Sequence, residues 1–336
     1  MKIVVSIPKS DTRDSFLPPE NIALLESLGE VVMNPKDDEQ WTEDELADAL
    51  VGADMVLTAW GSPCLTEKAL AKADRLKLLV HLCGTVVPFI SDAMWDKGVR
   101  VMSGNDFFAE SVAEGVIGYM LTALRDIPAY MDKFRNEGGW NPKNLSNQGL
   151  LDKTVGIVSY GAVAKHLVKM LKVFRVKINI YDIVPIPQAD LDEYNMTQVS
   201  LEDVFAKSDI VTVQTPYNPK THHLIGRELL EKMPAGALFV NTSRGPVINE
   251  PELVSVLGEG KIRAFLDVYE HEPPEDDDPL WSLPNVFMMP HKAGPTRDRH
   301  KYIAASLVSE AAKFVTDGTP LTHEIPREVA ERMSRS

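Results

Sequence analysis

The stretch "TVGIVSYGAVAKHL" (154–167) decides how the chain is read. A dinucleotide-binding loop needs G-x-G-x-x-G between a strand and a helix. The three glycine positions here hold Ser159, Gly161 and Ala164. The first glycine permits a tight turn, the second a close approach of backbone to pyrophosphate, and the third close helix–strand packing. Gly161 keeps the second role, and Ala164 adds only a methyl at the third. Ser159 is the departure. If its position needs a positive φ, serine costs about 1 kcal/mol relative to glycine. No Lys-Ser/Thr pair follows Gly161, which excludes a P-loop.

The context favours a cofactor loop. The apolar run 154–160 reads as a strand and 161–174 as an amphipathic helix. The next apolar run, "KINIYD" (177–182), ends in Asp182, 21 residues past Gly161. A carboxylate there accepts from ribose hydroxyls and repels a 2′-phosphate, which points to NAD. Ser159, Tyr160, Gly161, Ala162 and Val163 are the loop residues expected against the dinucleotide.

Working outward, short apolar runs alternate with helical patterns along the whole chain. One set is 2–7, 30–34, 54–60, 76–82 and 99–103. A second is 154–160, 177–182, 209–215, 237–243, 262–268 and 285–290. Amphipathic windows such as 66–73, 161–174 and 227–233 lie among them. Continuous apolar strands separated by helices predict parallel sheets covered on both faces. The expected fold is α/β, with two doubly wound domains and a cleft between them: a flavodoxin-like substrate domain and a Rossmann NAD domain. The substrate domain is expected over 1–104 plus 298–336, and the NAD domain over 105–297. The segment 107–125 is long and rich in small and apolar residues, so it predicts a buried helix. A Gly/Asn/Pro-rich connector (136–149) follows. A last helix is expected at about 298–317, and a charged, loose tail beyond 324.

The 336 residues carry a formal net charge of −14, which disfavours nucleic acid and anionic membrane surfaces as partners. Two cysteines, Cys64 and Cys83, make no disulfide framework. The apolar N-terminal run is too short for a signal peptide, and no stretch reads as a membrane span. The expectation is a cytoplasmic protein. "PPEDDDP" (273–279) reads as a solvated loop, and no metal site is expected.

Three fragments remain: "NTSRGPVINEPEL" (241–253), "FLDVYEHEPPEDDDPLWSLPNV" (265–286) and "MMPHKAGPT" (288–296). Each begins at the C-terminal end of a strand, where open α/β sheets bind ligands. With "CGT" (83–85), "SVAE" (111–114), Trp140 and "KTHHLI" (220–225), the chain from about 40 to 320 resembles the D-isomer-specific 2-hydroxyacid dehydrogenase family. The resemblance implies hydride transfer between NAD and C2 of a small 2-keto or D-2-hydroxy acid. It implies Arg244 on the substrate, since guanidinium binds planar oxygen pairs bidentately. It makes His291 the acid/base and Glu272 its partner. It also places the amides of Gly84 and Thr85 on the substrate carboxylate, with Trp60 as a further substrate contact. Asp267 falls at the nicotinamide amide. Thr215, Thr242, Ala293 and Gly294, with His291, fall along the cofactor. A homodimer through 105–150 is implied as well. Two features depart from the family pattern: "VVPFI" (86–90) after Thr85, and Lys292 after His291. A dinucleotide sensor with weak or lost turnover is the alternative. A formate dehydrogenase has no use for a Glu–His pair.

Overall fold

The computed structural model describes residues 1–136, 138, 140 and 147–334. Most of the connector 136–149 therefore lies outside the described residues. The chain divides into two compact units, Met1–Phe108 with Pro295–Ser336, and Ala109–Gly294.

In the first unit five strands form one sheet: β1 (Lys2–Val5), β2 (Glu30–Met33), β3 (Met55–Thr58), β4 (Leu78–His81) and β5 (Arg100–Ser103). Their order is β2-β1-β3-β4-β5 and all pairings are parallel, the flavodoxin-like arrangement. Every residue of β3 and β4 is buried. That is why these strands read as unbroken apolar runs rather than as alternation: helices cover both faces. Val5, Leu57 and Val80 face one apolar cluster, and Val4, Val56 and Leu79 the other.

The second unit holds β6 (Thr154–Val158), β7 (Lys177–Tyr181), β8 (Met196–Gln198), β9 (Ile210–Val213), β10 (Leu238–Asn241), β11 (Arg263–Leu266) and β12 (Val286–Met288). The order is β12-β11-β10-β9-β6-β7-β8, parallel throughout. This is the Rossmann order with one added edge strand. The order reverses between β6 and β9, so the loops after these two strands flank the switch point where ligands bind.

Several expectations need correction. Apart from β5, the strands end one or two residues earlier than the apolar runs, because the last residues of those runs enter the loops that form the ligand edge. The strand β8 was invisible in the sequence, since a three-residue edge strand, "MTQ", carries no pattern. Residues 66–73 form successive turns, not a helix. Thr66 Oγ1 takes the Ala69 amide, and Leu70 N→Thr66 O is followed by three-residue steps such as Ala71 N→Lys68 O. The apolar side is buried all the same, through Ala69, Leu70 and Ala73. The tail is not loose. Ile325 N donates to Val101 O (2.8 Å), Met102 bridges Glu324 in antiparallel sense, and Ile325 and Ala330 are buried. One described helix, Asn105–Leu124, is long and apolar enough by composition to cross a membrane. Its Ala113, Val116, Met120 and Ala123 instead join the core cluster of β6, with Val155 and Ile157.

Close packing in the second unit relies on Gly156 in the central strand. A Cβ there would lie 2.8 Å from both Val204 Cγ1 and Ser208 Oγ. Gly156→Ala is expected to cost about 2 kcal/mol by overpacking. Gly258→Ala, at the end of the helix Glu250–Gly258 with nothing within 4 Å, should be neutral or stabilise by up to about 1 kcal/mol. Urea denaturation of the two variants checks this, and equal midpoints would contradict it.

Candidate active site

The cofactor loop leaves β6 at Val158. Ser159 has φ +79°, so this position does require the left-handed conformation that glycine adopts freely. The serine has a compensation that glycine lacks: its hydroxyl lies 2.8 Å from Thr215 Oγ1, at the end of β9. Ser159 N donates to Tyr181 O (2.7 Å), and Tyr160 N to Asp182 Oδ2 (2.7 Å). The loop is thus tied to both neighbouring strands.

The helix Ala162–Leu171 follows, with Gly161 as its N-cap and no side-chain cap. The amides of Gly161, Ala162 and Val163 donate to no acceptor among the described residues. Together with the positive end of the helix dipole they offer an anion three donors. A Cβ on Gly161 would meet nothing within 4 Å, so the space above the loop is open. Ala164 is fully buried under the helix. These features fit a dinucleotide pyrophosphate. Asp182 accepts Tyr160 N with one oxygen and Val184 N with the other, and each oxygen retains a lone pair for a ribose hydroxyl. Its neighbour Ile183 is exposed and uncharged, offering nothing to a 2′-phosphate.

Thr215 and Thr242 are both buried. Thr215 Oγ1 lies 2.8 Å from Ser159 Oγ and donates to Val158 O (3.3 Å), whereas Thr242 Oγ1 accepts from Gln214 Nε2 (3.2 Å) and keeps its O–H as a donor.

The residues expected to serve as substrate-binding and acid/base groups stand on the other half of the same sheet. Arg244 follows β10 and is half-buried, with Nη1 donating to Ser243 O at 2.7 Å. Burial lowers its pKa, against the charge of Glu272, which raises it. The two residues therefore share one electrostatic site. Gly245 makes this possible: a Cβ would fall 1.7 Å from Tyr269 O, so only glycine lets the 269–272 segment cross here. Tyr269 N then donates to Glu272 Oε1 (3.1 Å). Glu272 Oε2 lies 2.8 Å from His291 Nδ1. With Nδ1–H donating to Glu272, His291 Nε2 is left to face a ligand.

His291 sits at φ +54°, a strained position held by its surroundings. Its amide donates to Asp267 O (2.9 Å). Asp267, only 1% exposed, accepts Lys292 N (2.7 Å) and Tyr119 Oη (2.9 Å) on Oδ1, and Ala293 N (2.8 Å) on Oδ2. Its side chain is thus committed mainly to the segment that carries His291. Lys292 keeps an exposed side chain while its amide is held. Ala293 is buried and Gly294 half-buried behind it. Gly115 passes so close that a Cβ would lie 2.7 Å from Ala293 O.

The sequence reading missed Tyr119 and Tyr269. Tyr119 stacks on Phe265 at 4.2 Å, and its helix gives no sign of a polar task. Tyr269 Oη donates to Leu266 O and Met289 O, pinning the ends of β11 and β12. It lies in the Asp267–Glu272 fragment, which was the available signal.

The remaining sequence-derived residues lie in the first unit. Trp60 is 48% exposed at the end of β3, edge-on to Phe16, Phe108 and His300. Gly84 and Thr85 follow β4, and their amides donate to no acceptor among the described residues. No group of three or more His, Cys, Asp or Glu suited to a metal occurs among the described residues.

Two outcomes are expected. Ser159→Ala keeps the left-handed strain and loses the Thr215 bond, so it should destabilise by about 1 kcal/mol. Ser159→Gly loses the bond but relieves about 1 kcal/mol of strain, so its denaturation midpoint should match the natural chain. For Asp267, burial pushes the carboxyl above the usual carboxylate range, against the pull of its three donors. Folding therefore favours its proton, and its contribution to stability is lost as pH rises through that folded value. Removing one donor deepens this loss. Tyr119→Phe should cost about 2 kcal/mol at neutral pH and much less at acid pH, once Asp267 has gained its proton. Denaturation at both pH values measures this, and an equal cost at each would contradict it.

Comparison with known proteins agrees with the geometry. Residues 117–293 match the D-isomer specific 2-hydroxyacid dehydrogenase NAD-binding domain. The D-3-phosphoglycerate dehydrogenase of Methanocaldococcus jannaschii is 34% identical over 299 residues, covering 88% of this chain and 55% of that protein. The chain thus spans little more than half of that relative's length. The glyoxylate reductase/hydroxypyruvate reductase of Homo sapiens is 30% identical over 296 residues, 85% of this chain and 90% of that protein. Among solved structures, a phosphoglycerate oxidoreductase from Rhizobium etli superposes with a TM-score of 0.80 at 27% identity, covering 97% of this chain and 99% of that one. By sequence and by fold, the chain belongs to the D-isomer specific 2-hydroxyacid dehydrogenases, a family of NAD-dependent enzymes.

Proposed function

We infer that this chain interconverts a small 2-keto acid and its D-2-hydroxy acid. The observation that carries the reading is the Glu272–His291 contact of 2.8 Å, held in one electrostatic site with a desolvated Arg244. When bound at the Ser159–Val163 loop and Asp182, NAD supplies the hydride acceptor or donor. The chain's own residues supply the rest. Arg244 holds the carboxylate and polarises the carbonyl oxygen, an interaction strengthened by its desolvation. The free amides of Gly84 and Thr85 bind carboxylate oxygen. His291 Nε2 gives a proton to the oxygen on C2 during reduction and takes it back during oxidation. Glu272 orients the ring through Nδ1 and stabilises the imidazolium. A reaction without a hydroxyl proton, such as formate oxidation, has no use for this pair.

The same reading takes the protein as a cytoplasmic homodimer. Free Cys64 and Cys83 suit a reducing compartment. The amphipathic helix Ile127–Asn136 buries none of its residues, and Ile127, Met131 and Phe134 stay exposed, which suits a second copy.

The test is NADH oxidation with glyoxylate, hydroxypyruvate, pyruvate and 3-phosphohydroxypyruvate. At least one is expected to be reduced, and a chiral product should be the D-hydroxy acid. Arg244→Ala should then lower kcat/KM by about 10²–10³ while NADH affinity by fluorescence titration stays within about threefold, about 0.7 kcal/mol. No turnover with any acid would sink the reading. Loss of NADH binding in Arg244→Ala would refute the role of Arg244.

A further inference from the structure

The segment Ile325–Ser334, beyond the long helix Arg297–Asp317, is anchored at several points. It starts beside β5, where Ser103 N donates to His323 O (3.1 Å) and Ile325 N to Val101 O (2.8 Å). Arg100 pairs with Glu324 there. Arg327 pairs with Asp92 (2.5 Å). Ile325 and Ala330 enter the apolar cluster that holds Val86 and Val101, and Met333 packs against it. The segment ends on the loop after β4: Thr85 Oγ1 donates to Ser334 O at 2.8 Å. Ser334 is only 9% exposed, so this contact is sheltered from water.

That hydrogen bond is the one Thr85 makes among the described residues. On the other side of Gly84, Cys83 is buried at 1% exposure. Gly84 is therefore held by the core through Cys83 on one side, and on the other by the segment through Thr85 together with buried Val86, which shares the apolar cluster of Ile325 and Ala330. Without the second pin, glycine's wide conformational freedom would let both free amides turn away from a common target. Two amides bind one carboxylate well only when both are aimed beforehand.

We propose that Ile325–Ser334 is a positioning element of the substrate site: through Ser334 it fixes Thr85, and so aims the Gly84 and Thr85 amides at the substrate carboxylate. The proposal rests on the dehydrogenase reading for the identity of that ligand. It makes the loop's affinity for a carboxylate depend on residues almost 250 positions away (|i−j| = 249).

Three variants of the full chain test it: Thr85→Val, which removes the donor but keeps the shape; Ala330→Asp, which puts a charge into the segment's apolar anchor; and the double variant. Each single change should raise KM for the 2-keto acid about tenfold, the worth of one hydrogen bond. kcat and NADH affinity should change little. The double variant should be no worse than the poorer single, because both break the same link. Hydrogen exchange at the Phe89 and Ile325 amides, which are hydrogen-bonded to Val86 O and Val101 O, should quicken in Ala330→Asp. A KM and an exchange rate that do not move in Ala330→Asp would overturn the proposal, as would additive effects in the double variant. If Ala330→Asp does not fold, Thr85→Val decides: trypsin cleavage after Arg327 and Arg332 should be faster, and unchanged cleavage overturns the proposal. Absence of turnover in the unaltered chain refutes the dehydrogenase reading instead, and the exchange and cleavage measurements still decide the link.

Discussion

The arrangement of Arg244, Glu272 and His291 at the edge of the second unit's sheet depends on one buried carboxylate. Asp267 ends β11 and is almost sealed from water. A carboxylate in such a place must be fully supplied with donors or protonated. Here the donors are the amides of Lys292 and Ala293 and the hydroxyl of Tyr119. Meeting that need also shapes the chain. The segment after β12 is drawn under the carboxylate, and His291 is left at a positive φ beside Glu272. Tyr269 clamps the ends of β11 and β12 from the other side, and Gly245 lets its segment cross beside Arg244. Packing constraints on their neighbours bring Glu272 to His291 and leave Arg244 within the reach of the Glu272 charge.

The cofactor loop shows a different economy. A left-handed residue without glycine is normally a defect. Ser159 offsets the strain with a side-chain contact to Thr215, and the two structural demands of the loop, a tight turn and a tie between β6 and β9, are met by one residue. At Gly161, where the proposed pyrophosphate contact needs open backbone, the glycine is kept. Its open surroundings and the uncapped helix behind it are what an anion needs.

The sequence by itself determined the two parallel sheets and most of their strands, because strands covered on both faces are mostly apolar along their length, as the fully buried β3, β4, β9 and β10 are. It determined the cofactor loop's place, since a strand, a small-residue turn and a helix follow one another locally. It also put Arg244, Glu272 and His291 at strand ends, where the fold class alone directs ligands. The tail beyond 324 and the window 66–73 were misjudged from charge and periodicity. In both, a few apolar residues decide the structure by what they meet elsewhere. What only the tertiary structure decided is a set of single hydrogen bonds between residues far apart in the chain. Ser159 finds Thr215 across 56 positions, Tyr119 finds Asp267 across 148, and Thr85 finds Ser334 across 249. No local pattern announces such pairs. Each partner is an ordinary residue for its place, and only the assembled fold brings a donor to its acceptor.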